Sequence, residues 1–376
     1  MANLPTIAVY PRQREDVVRT ASGFSTWKFV ASGYCIESRY AGGLAHAVST
    51  SSCDLPYVKR SFPLNHRAST PLVLSLLTLT LLAALAAQAA QPTRTSQADL
   101  IKQSTPSDWR RLDPENTLVM EINDQQVILE LAPRFAPKHA ANIRTLAREG
   151  YYTGSAVVRV QDNYVTQWAD PADEEKEKDK VKPLGTAQAS LPAEFSTPFK
   201  GLPITRFTDP DGWAPVSGFV DGLPVAADSA KNKAWLAHCY GMVGAARSTK
   251  PDSSNGTSLY AINGQAPRAL DLNITVVGRV VKGMEVLSSL PRGPGAMGFY
   301  DKPEHYVPIT RARVLADMPA AEQPTIEIMR TDTATWRKLV EASRHAIGGW
   351  AVRSALHSNI CNRTVPTRPI ASPAPS

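Results

Sequence analysis

Three side chains on one short stretch have types and spacing suited to chemistry on an amide. Arg159, Tyr164 and Gln167 fall within Ser155-Ala-Val-Val-Arg-Val-Gln-Asp-Asn-Tyr-Val-Thr-Gln. β-Branched runs on either side of Asp162-Asn163 read as a short strand pair joined by a turn. A guanidinium stays charged and presents a rigid fork of donors. A glutamine amide donates and accepts, and an aromatic ring can wall a small pocket. Taken singly, each has a plainer role. An arginine on a strand commonly faces solvent or an acid, a tyrosine fills a core or rim, and a glutamine alone says nothing.

The elements upstream can position such a pair. Thr117-Leu-Val-Met-Glu-Ile and Gln126-Val-Ile-Leu-Glu-Leu flank Asn123-Asp124, a hairpin signal. Pro137 then opens a helix where its missing N–H costs nothing. Ile143, Leu146 and Ala147 form its apolar face and Gly150 stops it.

Together these segments resemble the opening half of the cyclophilin-type peptidyl-prolyl isomerases. In that family a run "IxLxxxxAPxxxxNFxxLxxxGYYxG" leads into "FHRVxxxFxxQGG", whose Phe-His-Arg stands here as Val157-Val158-Arg159. Its pocket phenylalanine appears as Tyr164 and its glutamine as Gln167. Further matches follow in the family's order: Glu194-Phe195, Gly241-Met-Val-Gly-Ala-Ala246-Arg247, Asn255-Gly-Thr-Ser258-Leu-Tyr260, then Leu270-Asp271 with Val277-Gly-Arg-Val-Val-Lys-Gly283-Met284. The resemblance implies a mainly β fold, a closed antiparallel eight-stranded barrel capped by two helices, with a long insertion and a C-terminal helix.

It also implies the chemistry. Rotation about an X-Pro bond faces a barrier of ~18 to 20 kcal/mol set by amide resonance. The rotation needs no nucleophile. A fixed donor to the prolyl nitrogen favours the pyramidal form that exists only in the twisted state, and Arg159 is the catalytic candidate. Tyr164, Val165, Gln167, Ala246, Arg247, Ser258, Tyr260, Leu270 and Ile274 are the candidate substrate-binding residues. Departures from the pattern fall on the apolar wall. Ser258 stands for a second glutamine, Ala269 for a tryptophan, Ile274 for a histidine and Ala245 for a methionine. The alternative reading is a non-catalytic peptide-binding or chaperone module that kept the barrel. A scaffold role through the insertion and C-terminal helix is a third.

Composition narrows the class. The 376 residues carry a formal charge of +7, but the first 89 hold 8 Lys/Arg against 4 Asp/Glu, leaving 33 against 30 in the remainder. That mixed surface gives no basic footprint for nucleic acid. From Pro71 to Ala90 runs an uncharged apolar stretch behind Lys59, Arg60 and Arg67, with Ala87-Gln88-Ala89 as a small-x-small cleavage pattern. Residues 67–89 are therefore read as a signal peptide, and the product as periplasmic or secreted. The alternative is an inner-membrane anchor through 71–90. Residues 1–66 lack sustained periodicity and receive no function; they read as a wrongly chosen start codon or an untranslated-region artefact.

Residues 90–116 are read as an extended lead-in, 117–318 as the barrel domain with an insertion over about 170–234, and 319–376 as a C-terminal helix and disordered tail. The helix carries Trp336, Leu339 and Val340 on one face. The insertion can form a rim or lid over the site. Only Cys239 and Cys361 follow the cleavage pattern. They either pair or stand as one buried thiol and one tail thiol. His238-Cys239 has no second ligand pair and reads as a buried strand start. No metal or cofactor is expected. The expected partners are proline-containing polypeptide segments, met by a monomer with no nucleic acid and, after signal cleavage, no membrane.

Overall fold

A computed structural model describes residues 25–31, 34–41, 44–52, 95–174, 177–265, 267–346 and 351–370. The chain divides into two compact units, Met1–Gln91 and Pro92–Ser376. In the first, Ser25–Ala31, Tyr34–Ala41 and Leu44–Ser52 form an antiparallel three-stranded meander, where the sequence showed no sustained periodicity. The stretch 67–89 read as an export signal lies outside the described residues.

In the second unit eight antiparallel strands close into a barrel. We number them β1 (Thr117–Ile122), β2 (Gln125–Leu131), β3 (Ala156–Gln161), β4 (Val165–Ala169), β5 (Met242–Ala245), β6 (Leu259–Ile262), β7 (Val276–Lys282) and β8 (Val307–Val314). Around the barrel the order is β5-β6-β4-β3-β8-β1-β2-β7, with β7 returning to β5. Asn123 and Asp124 both take left-handed φ, 50° and 59°, as a two-residue hairpin turn requires.

Period-two alternation divides β1 between two cores. Leu118, Met120 and Ile122 join the barrel interior with Leu129, Trp168 and Leu259, whereas Val119 joins a second apolar cluster. Helix α1 (Pro137–Arg148) covers one mouth with Ile143, Leu146 and Ala147, and helix α2 (Met284–Ser289) adds Val286 and Leu287. Ala136 cannot cap α1. Glu194 does so instead, accepting from the backbone N–H of Lys138 and His139 at 2.9 and 3.0 Å.

The second cluster lies on the outer face of the barrel and is built largely by the insertion. Thr205–Arg206, Val216–Val220, Leu223–Asp228, Lys233–Leu236 and Thr197–Pro198 form a five-stranded antiparallel sheet in that order. Phe219, Val225, Trp235 and Leu236 from this sheet share the cluster with Val165, Tyr260 and Ile262 of the barrel. Helix α3 (Ala334–Arg344) packs there too, Trp336 meeting Phe219 edge-on at 5.1 Å. The insertion is thus a second packed layer, beyond a rim loop.

Two expectations at the ends are corrected. The lead-in is not simply extended: it contains a Ser96-capped helix, Gln97–Lys102, and a strand, Trp109–Arg111. Nor is the tail after Thr364 disordered throughout, because Thr367–Pro369 pairs with Ile326–Met329, which in turn pairs with Trp109–Arg111. Apolar residues inside otherwise polar stretches, Trp109, Ile360 and Val365, are buried and hold both ends down. Cys239 and Cys361 form a disulfide with Cα atoms 4.8 Å apart.

Candidate active site

One row of residues crosses four neighbouring strands. Arg159 on β3 stands opposite Gln167 on β4. Gln167 stands opposite Tyr260 on β6, and Tyr260 opposite Gly244 on β5. A register shift between Val157 and Arg159 brings the arginine into line, as bulges do when they re-aim a side chain.

Hydrogen bonds bind the polar end of the row. Arg159 donates through Nε to the Met297 carbonyl at 2.7 Å and through Nη1 to Gln167 Oε1 at 3.1 Å. Its Nη2 donates to Gln161 Oε1. Gln167 Nε2 continues the chain to Ser258 Oγ at 3.1 Å. Two rings flank the guanidinium, Tyr164 at 5.8 Å and Phe299 at 5.1 Å to the centroid, within the reach of cation–π attraction. Tyr164 sits in the β3–β4 turn, its N–H held by Asn263 Oδ1 at 3.1 Å.

The apolar end is organised differently. Tyr260 is only 4 % exposed, and its ring lies against Gly244, where an added Cβ would sit 2.3 Å from the phenol. Only glycine leaves room for that ring. The Tyr260 hydroxyl meets His238 Nε2 at 3.2 Å, and His238 Nδ1 meets Asp271 Oδ1 at 3.0 Å. Asp271 also accepts from the His238 backbone N–H, Trp235 Nε1 and Arg268 Nε. Arg268 then forms a two-armed pair with Asp211 at 3.2 and 3.0 Å. Burial drives the Tyr260 phenol well above its ordinary range. Burial also opposes ionisation of Asp271, yet the hydrogen bonds from His238, the Arg268 charge and Trp235 together hold its carboxyl below the usual value.

The structure brings Arg159, Tyr164, Gln167, Ser258 and Tyr260 into one neighbourhood. Val165, Ala246 and Ile274 pack on the same outer apolar cluster as Tyr164 and Tyr260. Ile274 also lines a cleft with Phe135, Phe195 and Trp235. Arg247 engages the carbonyls of Asn273, Ser248 and Thr249, and Leu270 ends the turn Arg268–Leu270. His238 is buried just past the strand Lys233–Leu236.

Several contributors carried no local signal. Met297 and Phe299 reach Arg159 from a loop more than a hundred positions away, and Phe299 bridges to it through the backbone. Gly244 and the Asp271–His238 pair likewise acquire meaning only through register. Asp271 stood inside a quoted motif, but nothing in the spacing linked it to His238.

Residues 117–314 match the family model described as cyclophilin type peptidyl-prolyl cis-trans isomerase/CLD. A Brucella suis protein named "Probable peptidyl-prolyl cis-trans isomerase" is 32% identical over 188 residues, 49% of this chain and 76% of that protein. A Brucella abortus protein of the same name is 31% identical over the same span and shares. Among solved structures, cyclophilin AquaCyp293 from Hirschia baltica superposes with a TM-score of 0.57 at 22% identity, covering 74% of this chain and 99% of that one. That likeness carries the fold.

Proposed function

We propose, from the premise that this chain belongs to the cyclophilin-type peptidyl-prolyl cis-trans isomerases, that it catalyses rotation of X-Pro bonds in exported polypeptides through Arg159 and assists their folding in the periplasm. The observation that carries the site assignment is the hydrogen-bonded run Arg159–Gln167–Ser258 on the outer barrel face, flanked by Tyr164 and Phe299.

The chemistry follows from the bond. Ground-state amide resonance leaves the prolyl nitrogen planar and a poor acceptor. Twisting localises its lone pair, and a guanidinium N–H aimed at that atom stabilises the twisted state selectively. The acceptors on Met297, Gln161 and Gln167 hold the fork in a fixed direction, so little reorganisation accompanies the rotation. Gln167 Nε2 donates toward Ser258 in this structure; an incoming substrate carbonyl would compete for that donor. Tyr164 and Tyr260 wall the ring.

Two features support the exported setting. The basic-flanked apolar run 67–89 has a cleavage pattern, and the pairing of Cys239 with Cys361 suits an oxidising compartment. A protease-coupled assay on a tetrapeptide with one X-Pro bond tests the activity. N-terminal sequencing of protein from an envelope fraction, expected to begin at Ala90, tests the compartment, and light scattering tests the monomer. Peptide binding without isomerisation would move the assignment to a peptide-binding module.

A further inference from the structure

Tyrosine is an awkward wall for a proline ring, because its hydroxyl must find a partner if the pocket is to stay apolar. Here that partner lies behind the wall. His238 approaches the Tyr260 hydroxyl with Nε2 at 3.2 Å, and it is itself 1 % exposed.

The protonation pattern is set by the donors around Asp271. Its carboxylate accepts from the His238 backbone N–H, Trp235 Nε1 and Arg268 Nε, so it is an acceptor toward His238 Nδ1 as well. His238 therefore carries its proton on Nδ1 when neutral, and its Nε2 accepts from the Tyr260 hydroxyl. That turns the phenolic proton away from the barrel face.

We propose that His238 and Asp271 are positioning residues for the prolyl pocket, holding the Tyr260 ring across Gly244 so that its face receives the substrate proline. The inference rests on the isomerase reading above and extends it to residues that never touch substrate. Arg268 and Asp211 anchor Asp271 in turn, their side chains 3 and 2 % exposed. Through them the insertion, which contains Asp211, helps fix the pocket wall.

The test exploits the two nitrogens of His238 separately in the full chain, with the X-Pro tetrapeptide as probe. His238→Gln places an amide near the Nε2 position and can still accept from Tyr260. His238→Asn mimics Nδ1 and keeps only the Asp271 contact. The expected result is a KM within about twofold of wild type for His238→Gln and raised about fivefold for His238→Asn, the size of one lost hydrogen bond, with kcat little changed in both. In a Tyr260→Phe background the two substitutions should be indistinguishable, since the hydroxyl they differ on is gone.

Equal KM values for His238→Gln and His238→Asn, or a difference that persists in the Tyr260→Phe background, overturns the positioning role. A purely structural histidine would move melting temperature in both backgrounds without that pattern. If either His238 variant fails to fold, Tyr260→Phe alone decides: an unchanged KM overturns the proposal and a KM raised about fivefold supports it. Arg159→Ala separates the two levels. No turnover by wild type removes the isomerase reading and this inference with it, whereas equal rates for Arg159→Ala and an active wild type take only the catalytic role from Arg159. A silent Arg159→Ala beside an active wild type leaves the reading standing while the His238 pair is judged on its own.

Discussion

At one end of the site Arg159 is held on the barrel's outer surface by three acceptors on β3, β4 and the loop before Phe299. At the other end Tyr260 is held from behind by His238, Asp271, Arg268 and Asp211, all with buried side chains. The first end is made from strand residues a few positions apart and one loop carbonyl, that of Met297, far along the chain. The second depends on an inserted sheet packing against the barrel. Solvent can replace a lost partner at the first end, whereas a lost partner at the second leaves an uncompensated group in the interior. Chemistry and stability should therefore respond to substitution at opposite ends.

The largest effect is expected at the buried end. Arg268→Ala removes the cation between Asp211 and Asp271 and leaves two carboxylates buried without it. Breaking such a pair costs roughly 3–5 kcal/mol. Urea unfolding of the variant should show that loss, together with reduced ordering of the insertion in hydrogen exchange. A loss below about 1 kcal/mol would mean that the network rearranges freely and that the two ends are not held differently.

Arg159→Ala should reverse the pattern. The specificity constant should fall about a hundredfold, near ~3 kcal/mol for one well-placed donor, while the melting temperature moves little. Arg159→Lys should not restore the rate, because an ammonium lacks the planar fork. Matching activity in wild type and Arg159→Ala, at equal circular dichroism, would remove the catalytic assignment from this end altogether.

Acid offers a third separation. Burial opposes the charged form of both Asp271 and Glu194, yet hydrogen bonds centred on His238 and His139, with Arg268 adding its charge at Asp271, hold the two carboxyls below their ordinary values of 3.8 and 4.5. A lowered carboxyl contributes stability that is present above its unfolded value and lost as pH falls through its folded one. Wild-type stability should therefore fall as pH drops below about 4.5. Asp271→Asn should start less stable at neutral pH and fall less steeply, read by urea unfolding at pH 7 and pH 3. Parallel falls would show that Asp271 is not a main source of acid sensitivity.

How much of this was legible in the sequence follows the same division. The hairpin at Asn123-Asp124, the Pro137 helix and the Arg159–Gln167 pairing are short-range, and local spacing carried them into the barrel as expected. The insertion read only as a rim or lid because its strands are two to six residues long. Strands that short bury their apolar side chains against another layer, and that layer is distant in sequence. For the same reason the Cys239–Cys361 pair stayed open, and the tail strand Thr367–Pro369 read as part of a disordered end.

The smallest effect tests whether the exposed end is as forgiving as its solvent contact implies. Gln161 is one of three acceptors on Arg159, and it lies at the end of β3 where the chain turns toward Asp162. Removing it leaves the Met297 carbonyl on Nε and Gln167 on Nη1, which lie on different arms of the fork and fix its plane between them. Water can take up the vacated Nη2 donor, so the net loss is that of one partly exposed hydrogen bond, at most about 1 kcal/mol. Gln161→Ala should accordingly lower the specificity constant by no more than about fivefold and leave the unfolding midpoint in place. A loss approaching that of Arg159→Ala would show that the guanidinium has no tolerance in its aim. Every anchor of Arg159 would then matter as much as every member of the buried network behind Tyr260, and the contrast between the two ends would disappear.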